Sequence, residues 1–138
     1  MINFGATPTP PIGPASLAVI KDRESTAVQQ LDQSVNNVYA TLDGKQIVDP
    51  FKYQENTGFF SLGTVRPHTV ASDFYGEPKG ANLDPSKAGG YWLMIENLSP
   101  GMHTLEFGGS SAGVTNLAGL GLDIPPFADH VIDHIKVV

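Results

Sequence analysis

The stretch Gly90-Tyr-Trp-Leu-Met-Ile-Glu-Asn-Leu-Ser-Pro-Gly-Met-His-Thr-Leu-Glu-Phe-Gly-Gly109 decides how the rest of the chain is read. Two apolar runs flank Ser99-Pro100-Gly101, and glycines bracket both outer ends. Apolar residues recurring at every second position have the period of a strand, and a Pro-Gly pair between two such runs reads as a turn. The expectation is an antiparallel hairpin with Tyr91–Leu98 paired to Met102–Phe107. Tyr91, Leu93 and Ile95 then share one face, with Trp92, Met94 and Glu96 on the other. In the second strand His103, Leu105 and Phe107 lie opposite Thr104 and Glu106.

Upstream of this hairpin, Val28, Leu31 and Val35 recur at helical spacing among polar residues, which predicts a helix at about 22–36. Val38–Leu42 alternates as a strand, Asp43-Gly44 is a tight-turn signal, and residues 46–48 begin a return strand. Phe59–Leu62 reads as another strand. Residues 64–90 read as a long loop, and a long loop in a compact domain is often functional. Downstream, 108–127 reads as a second long loop containing Leu117, Leu120, Leu122 and Ile124, and Asp129–Val138 as a closing strand. Residues 1–14, with Pro8, Pro10, Pro11 and Pro14, read as an extended arm, leaving 15–138 as a single domain. The predicted fold is mostly β: an antiparallel β-sandwich, jelly-roll or immunoglobulin-like, with one N-terminal α-helix. A small barrel is the alternative architecture.

Composition narrows the function classes. The chain has 138 residues, of which 16% are charged, with 15 glycines and 11 prolines. That profile suits a turn-rich β domain large enough to bury its own core. The net charge is −6, and the eight basic residues are scattered singly. No positive footprint for nucleic acid results. The absence of cysteine excludes a disulfide framework, a thiolate nucleophile and cysteine-ligated metals. The start of the chain lacks the basic and apolar regions of a signal peptide, and no apolar run approaches the length of a membrane span, so membrane insertion is not expected.

Across roughly 25–138, and with high specificity at 89–109, the chain resembles a family of uncharacterised bacterial secreted proteins. The Gly90-Tyr-Trp92 strand, the Leu98-Ser-Pro-Gly-Met-His-Thr104 turn and the Val-rich last strand carry the resemblance. It implies an exported β-sandwich, secreted, periplasmic or at the cell surface, and supplies no catalytic residue. Two departures stand out. The loop 108–128 is longer than the family pattern, and the N-terminus is short, as though a first strand were missing before Ile2-Asn3. A strand from another chain would then complete an open sheet edge.

Several constellations invite a chemical reading. Gly109-Ser-Ser-Ala-Gly113 matches G-x-S-x-G, with Ser111 as nucleophile and Asp123 or Asp129 and His130 or His134 following in order. The following segment is a poor helix, so a flexible Gly/Ser loop is the plainer reading. His130 and His134 would share a metal on a helix, but on a strand they lie about 13 Å apart at roughly 3.3 Å per residue. The strand reading points His130, His134 and Lys136 to water and places Asp133 with Val131, Ile135 and Val137. Asp73, Glu77 and Asp84 could hold calcium together with loop carbonyls, although their spacing fits no known loop. No other cofactor is expected.

For ligand binding, the candidates are Trp92, Tyr91, His103, His68, Tyr75, Asp73 and Glu106. Exposed Trp and Tyr rings stack on sugars, although such rings are more often core. His103 on an apolar face reads first as a hydrogen-bonded core or rim residue. The expected function is a non-enzymatic, exported binding or structural module, with carbohydrate or a surface as the candidate ligand. One alternative is a small enzyme with acid–base residues between the loops 64–90 and 108–128, pairing His68 or His103 with Glu106 or Asp73. The other is an assembly subunit that docks through an edge strand or the apolar loop Leu117–Phe127, in a homo-oligomer or with a partner chain.

Overall fold

The computed structural model describes residues 3–6, 16–47, 49–73 and 76–138, with side chains described from Ser16 onward. The chain is mostly β, with antiparallel sheets and one long N-terminal helix. Strand β1 (Asn3–Ala6) precedes helix α1 (Leu17–Ser34). Next come β2 (Val35–Leu42), β3 (Lys45–Gln46), β4 (Gln54–Asn56), a single helical turn α2 (Val70–Asp73), β5 (Lys87–Tyr91), β6 (Gly101–Ser111) and β7 (Phe127–Val137). One sheet has the order β1-β5-β4 and the other β3-β2-β6-β7. Each sheet has two edges, so neither closes into a barrel.

Helix α1 begins earlier than the periodicity predicts. Ser16 caps it by accepting a hydrogen bond from the Val19 amide at 3.3 Å. The helix ends at Ser34, and Val35 already has extended backbone and opens β2. Val28 and Leu31, two of the three positions that defined the apolar stripe, are buried. Ala27 and Leu31 pack against Leu117, with Val114, Ile124 and Phe127 around them. The apolar loop read as a docking element is therefore partly committed to the chain's own core, while Leu120 and Leu122 remain exposed.

The β2–Asp43–Gly44–β3 hairpin forms as predicted, with Asp43 and Gly44 both at positive φ. The closing strand also forms, as β7. The hairpin at 90–109 does not. β5 ends at Tyr91, residues 92–99 are outside any strand, and β6 pairs with β2 and β7 instead. Each of the two segments has both edges filled by other partners: β5 lies between β1 and β4, and β6 between β2 and β7. An eleven-residue ladder with β7 offers more backbone bonds than the short local hairpin. The side-chain alternation nevertheless persists through 91–96. Tyr91 is buried, Leu93 and Ile95 are half-buried, and Trp92, Met94 and Glu96 are exposed.

Other expectations are also corrected. Phe59–Leu62 forms no strand and contributes only a single bridge, Phe60 to Ser86. The loop at 64–90 ends early, because Lys87–Tyr91 is a strand. The loop at 108–127 shrinks to 112–126, because β6 runs on to Ser111. Within residues 1–14, Asn3–Ala6 forms a strand along β5 rather than a free arm. Most of the Pro-rich segment lies outside the described residues.

Candidate functional site

Register with β2 and β7 divides the larger sheet into two faces. Val38, Ala40, Leu42, His103, Leu105, Phe107, Val131, Asp133, Ile135 and Val137 share one side. Tyr39, Thr104, Glu106, His130, His134 and Lys136 share the other. Val38 and Ala40 are buried, but burial fades outward, and Val131 at the edge is 38% exposed. Asp133 stands on the apolar side at an edge open to water, so its carboxylate is exposed.

His103 sits at the rim of the apolar face. Its Nδ1 lies 2.7 Å from Asp43 Oδ2, and its Nε2 donates to the Ser99 carbonyl at 2.8 Å. A carbonyl can only accept, so Nε2 carries a proton, and the ring needs a second proton to donate to the carboxylate. The bond to Asp43, then that to Ser99, raise the histidine above its ordinary 6.5. The same pairing, with the Thr104 amide on Oδ1 at 2.9 Å, holds Asp43 below its ordinary value. The unit clasps the β2–β3 turn to β6 and to the end of the 92–99 segment. Both imidazole nitrogens are occupied, which leaves His103 no free atom for a ligand.

Of the acid–base pairings read from sequence, that of His68 with Asp73 is brought together at the surface, while that of His103 with Glu106 is not. His103 and Glu106 lie on opposite faces of β6, and Glu106 pairs instead with His130, Nε2 to Oε1, at 3.2 Å. The Tyr39 ring meets His130 edge-on at 6.2 Å between centroids. His68 lies 3.7 Å from Asp73, both well exposed. Tyr75 lies outside the described residues. Ser111 is buried in β6 and bonds Ser34 Oγ at 2.6 Å, with no helix behind it. Asp123 accepts from the Asn116 amide. The G-x-S-x-G reading is thus replaced by a strand serine that fixes the end of α1. His130 and His134 lie on a strand, as the second reading of that segment required.

Asp84, one of the three calcium candidates, is occupied by its own loop. It accepts from Ser61 Oγ at 2.7 Å and from the Leu62 and Gly63 amides at 2.7 and 2.9 Å. These bonds, the serine's foremost, hold the carboxyl below its usual range. Asp73 accepts from Ser72 Oγ. Among the described residues Asp73, Glu77 and Asp84 do not converge on a common point, nor does any other group of three potential metal ligands. A shallow cavity of about 460 Å³ beside them is lined by Leu62, Val65, Arg66, Thr69 and Leu83.

The region that remains open to a ligand is aromatic. Trp92 is 48% exposed and Phe51 43%. The Trp92 amide donates to the Tyr53 carbonyl at 2.9 Å, which sets residues 51–54 alongside 91–92. Phe51 packs edge-on against Tyr91 at 5.7 Å, and Lys52 Nζ lies 5.1 Å from the Tyr53 ring centroid. Tyr91 itself is 2% exposed, so it backs the Phe51 ring and does not face a ligand. Sequence reading found Trp92 but not Phe51. The two are 41 positions apart, and only the β4–β5 pairing brings their segments together.

Comparison with protein-family models, with curated proteins and with solved structures finds no match, so the reading of the site rests on its geometry.

Proposed function

We propose that this protein is a non-enzymatic, exported binding module that takes a glycan on the aromatic ledge that exposes the Trp92 ring. The observation that carries the reading is the exposure of Trp92. A large indole left half in water suits stacking on the apolar face of a pyranose. The Trp92 backbone is held by its bond to the Tyr53 carbonyl, and rigid support lowers the ordering cost of binding. In this reading the two sheets are the layers of a β-sandwich. In support, the apolar side of β2 is buried at Val38 and Ala40. Export follows the resemblance carried by 89–109.

Trp92 is the sole tryptophan, so its fluorescence reports on the ledge directly. Titration against a glycan panel, followed by fluorescence and by calorimetry, is expected to give matched saturation with at least one glycan and none with Trp92→Ala. Silence across the panel in both signals would remove the glycan reading.

A further inference from the structure

We propose that β7 is a self-association edge, along which two copies of this chain pair antiparallel about a two-fold axis at Ile132. The inference is independent of the ligand ledge. β7 is the outermost strand of the larger sheet. Along Ala128–Lys136 its outer backbone groups meet no partner among the described residues. A long, open strand edge is a template for another strand, and proteins normally blunt such edges with proline, a bulge or clustered charge. This edge has no proline and no glycine, and its register with β6 is unbroken from one end to the other. Its charged residues are Lys136, Asp129 and Asp133, spaced along the strand and not clustered. At its centre Val131 and Ile132 are 38% and 52% exposed, one on each face.

Strand lengths identify the occupant. The opposite edge of the same sheet, β3, has two residues, and the edges of the other sheet, β1 and β4, have four and three. None of these can cover β7. Among the edge strands only β7 of a second copy matches its length, and a two-fold pairing of identical strands is the isologous contact from which closed dimers are built.

Charge selects the register. Full overlap sets Ile132 opposite Ile132 of the second copy. His130 then opposes His134 of the second copy, Val131 opposes its Asp133, and Asp129 opposes its Ile135. Moving the axis one residue toward the C-terminus sets Asp133 opposite Asp133. Moving it one residue the other way sets Asp129 opposite Asp133. Like charges directly opposed across a strand pair destabilise it. The register that pairs the most backbone is therefore also the one among these three that keeps the aspartates from facing one another.

The test uses the full chain in size-exclusion chromatography with light scattering. The expected result is twice the chain mass at high concentration, falling to the single mass on dilution. Ile132→Glu and Ile132→Lys, both on an exposed face, are each expected to be monomeric with unchanged circular dichroism. An equimolar mixture of the two is expected to return to the doubled mass, because only in this register does position 132 face itself. A wild-type monomer at every concentration, a dimer that survives both substitutions, or a mixture that stays monomeric would each overturn the proposal. If the charged variants fail to fold, Ile132→Cys replaces them. In this cysteine-free chain, oxidation should give a disulfide-linked pair, and a folded variant that does not cross-link overturns the proposal.

Discussion

Under α1, Glu24 and Asp32 are buried, and oxygens of both carboxylates (Oε2 of Glu24, both oxygens of Asp32) accept no hydrogen bond among the described residues. At the β2–β3 turn, Asp43 is 45% exposed and both of its oxygens are bonded. One region has burial without hydrogen bonds, the other hydrogen bonds with little burial. Under the helix the favourable term is apolar. Ala27, Val28 and Leu31 carry it, and Val28 sits so close to Gly89 that a Cβ there would lie 2.6 Å from Val28 Cγ1. The two acids share the Val28 face of α1 at helical spacing, so docking Val28 draws them in. At the turn, directional bonds to His103 and to the Thr104 amide fix a geometry that packing alone leaves loose. Polar groups stabilise this fold where they are satisfied near solvent, and they oppose it where packing carries them inside.

The comparison can be broken most severely from the apolar side. Leu31→Ala removes a core side chain shared with Leu117 and is expected to cost about 3 kcal/mol in denaturant unfolding. A loss within about 0.5 kcal/mol, the range of an exposed site, would show that α1 is not held by this contact. Relief of the buried acid comes next. Glu24→Leu is expected to stabilise the protein by about 2 kcal/mol at pH 8, since it replaces an unpaired buried carboxylate with an apolar side chain. Destabilisation instead would mean that Glu24 has a partner when folded.

The pH dependence separates the two regions. Burial pushes Glu24 from its ordinary 4.5 up to about 7, so its favourable contribution is complete below pH 4.5 and is lost as pH rises through about 7. His103 lies above its ordinary 6.5, so its contribution is complete on the acid side of 6.5 and is lost as pH rises through the raised value. Asp43 lies below 3.8, so its contribution is complete above pH 3.8 and disappears as pH falls through the lowered value. The three together place the stability maximum near pH 4, with decline through neutrality. Thermal melts across pH should show Glu24→Gln flattening the decline between pH 4.5 and 7. Asp43→Asn should reduce the acid-side loss to the share that comes from Asp84, and should reduce the part of the alkaline decline that comes from His103. A profile that neither substitution alters would refute the assignment.

The smallest effect on stability belongs to the ledge. Trp92→Ala is expected to shift unfolding by no more than about 0.5 kcal/mol, since the ring is half in solvent. A larger loss in denaturant titration would make Trp92 a packing residue and weaken the binding proposal.

Local chemistry alone was enough to read several elements. The α1 stripe at Val28 and Leu31, the Asp43-Gly44 turn and the closing strand all depend on spacing and turn preference within a few residues. The two faces of β7 and of 91–96 were likewise legible, because the side-chain period of an extended chain is fixed by its pleat. What stayed hidden was partnership. His103 could be placed on an apolar face, but nothing in its neighbourhood shows that Asp43, 60 positions upstream, supplies its carboxylate. Ser111 read as a loop residue because glycine lowers strand preference, yet β2 and β7 pair with that segment from both sides and hold it extended.

The sequence by itself therefore determined period, turns and composition: a cysteine-free, acidic, mostly β chain with one helix and one tryptophan. Tertiary structure decided which strands meet. The stretch at 90–109 has the alternation of a hairpin, but alternation specifies faces and not neighbours. β6 joined β2 and β7 because their longer ladders pair more backbone than a local turn allows. That choice released residues 92–99 from any ladder, left Trp92 half in solvent, and placed β7 at the edge of its sheet.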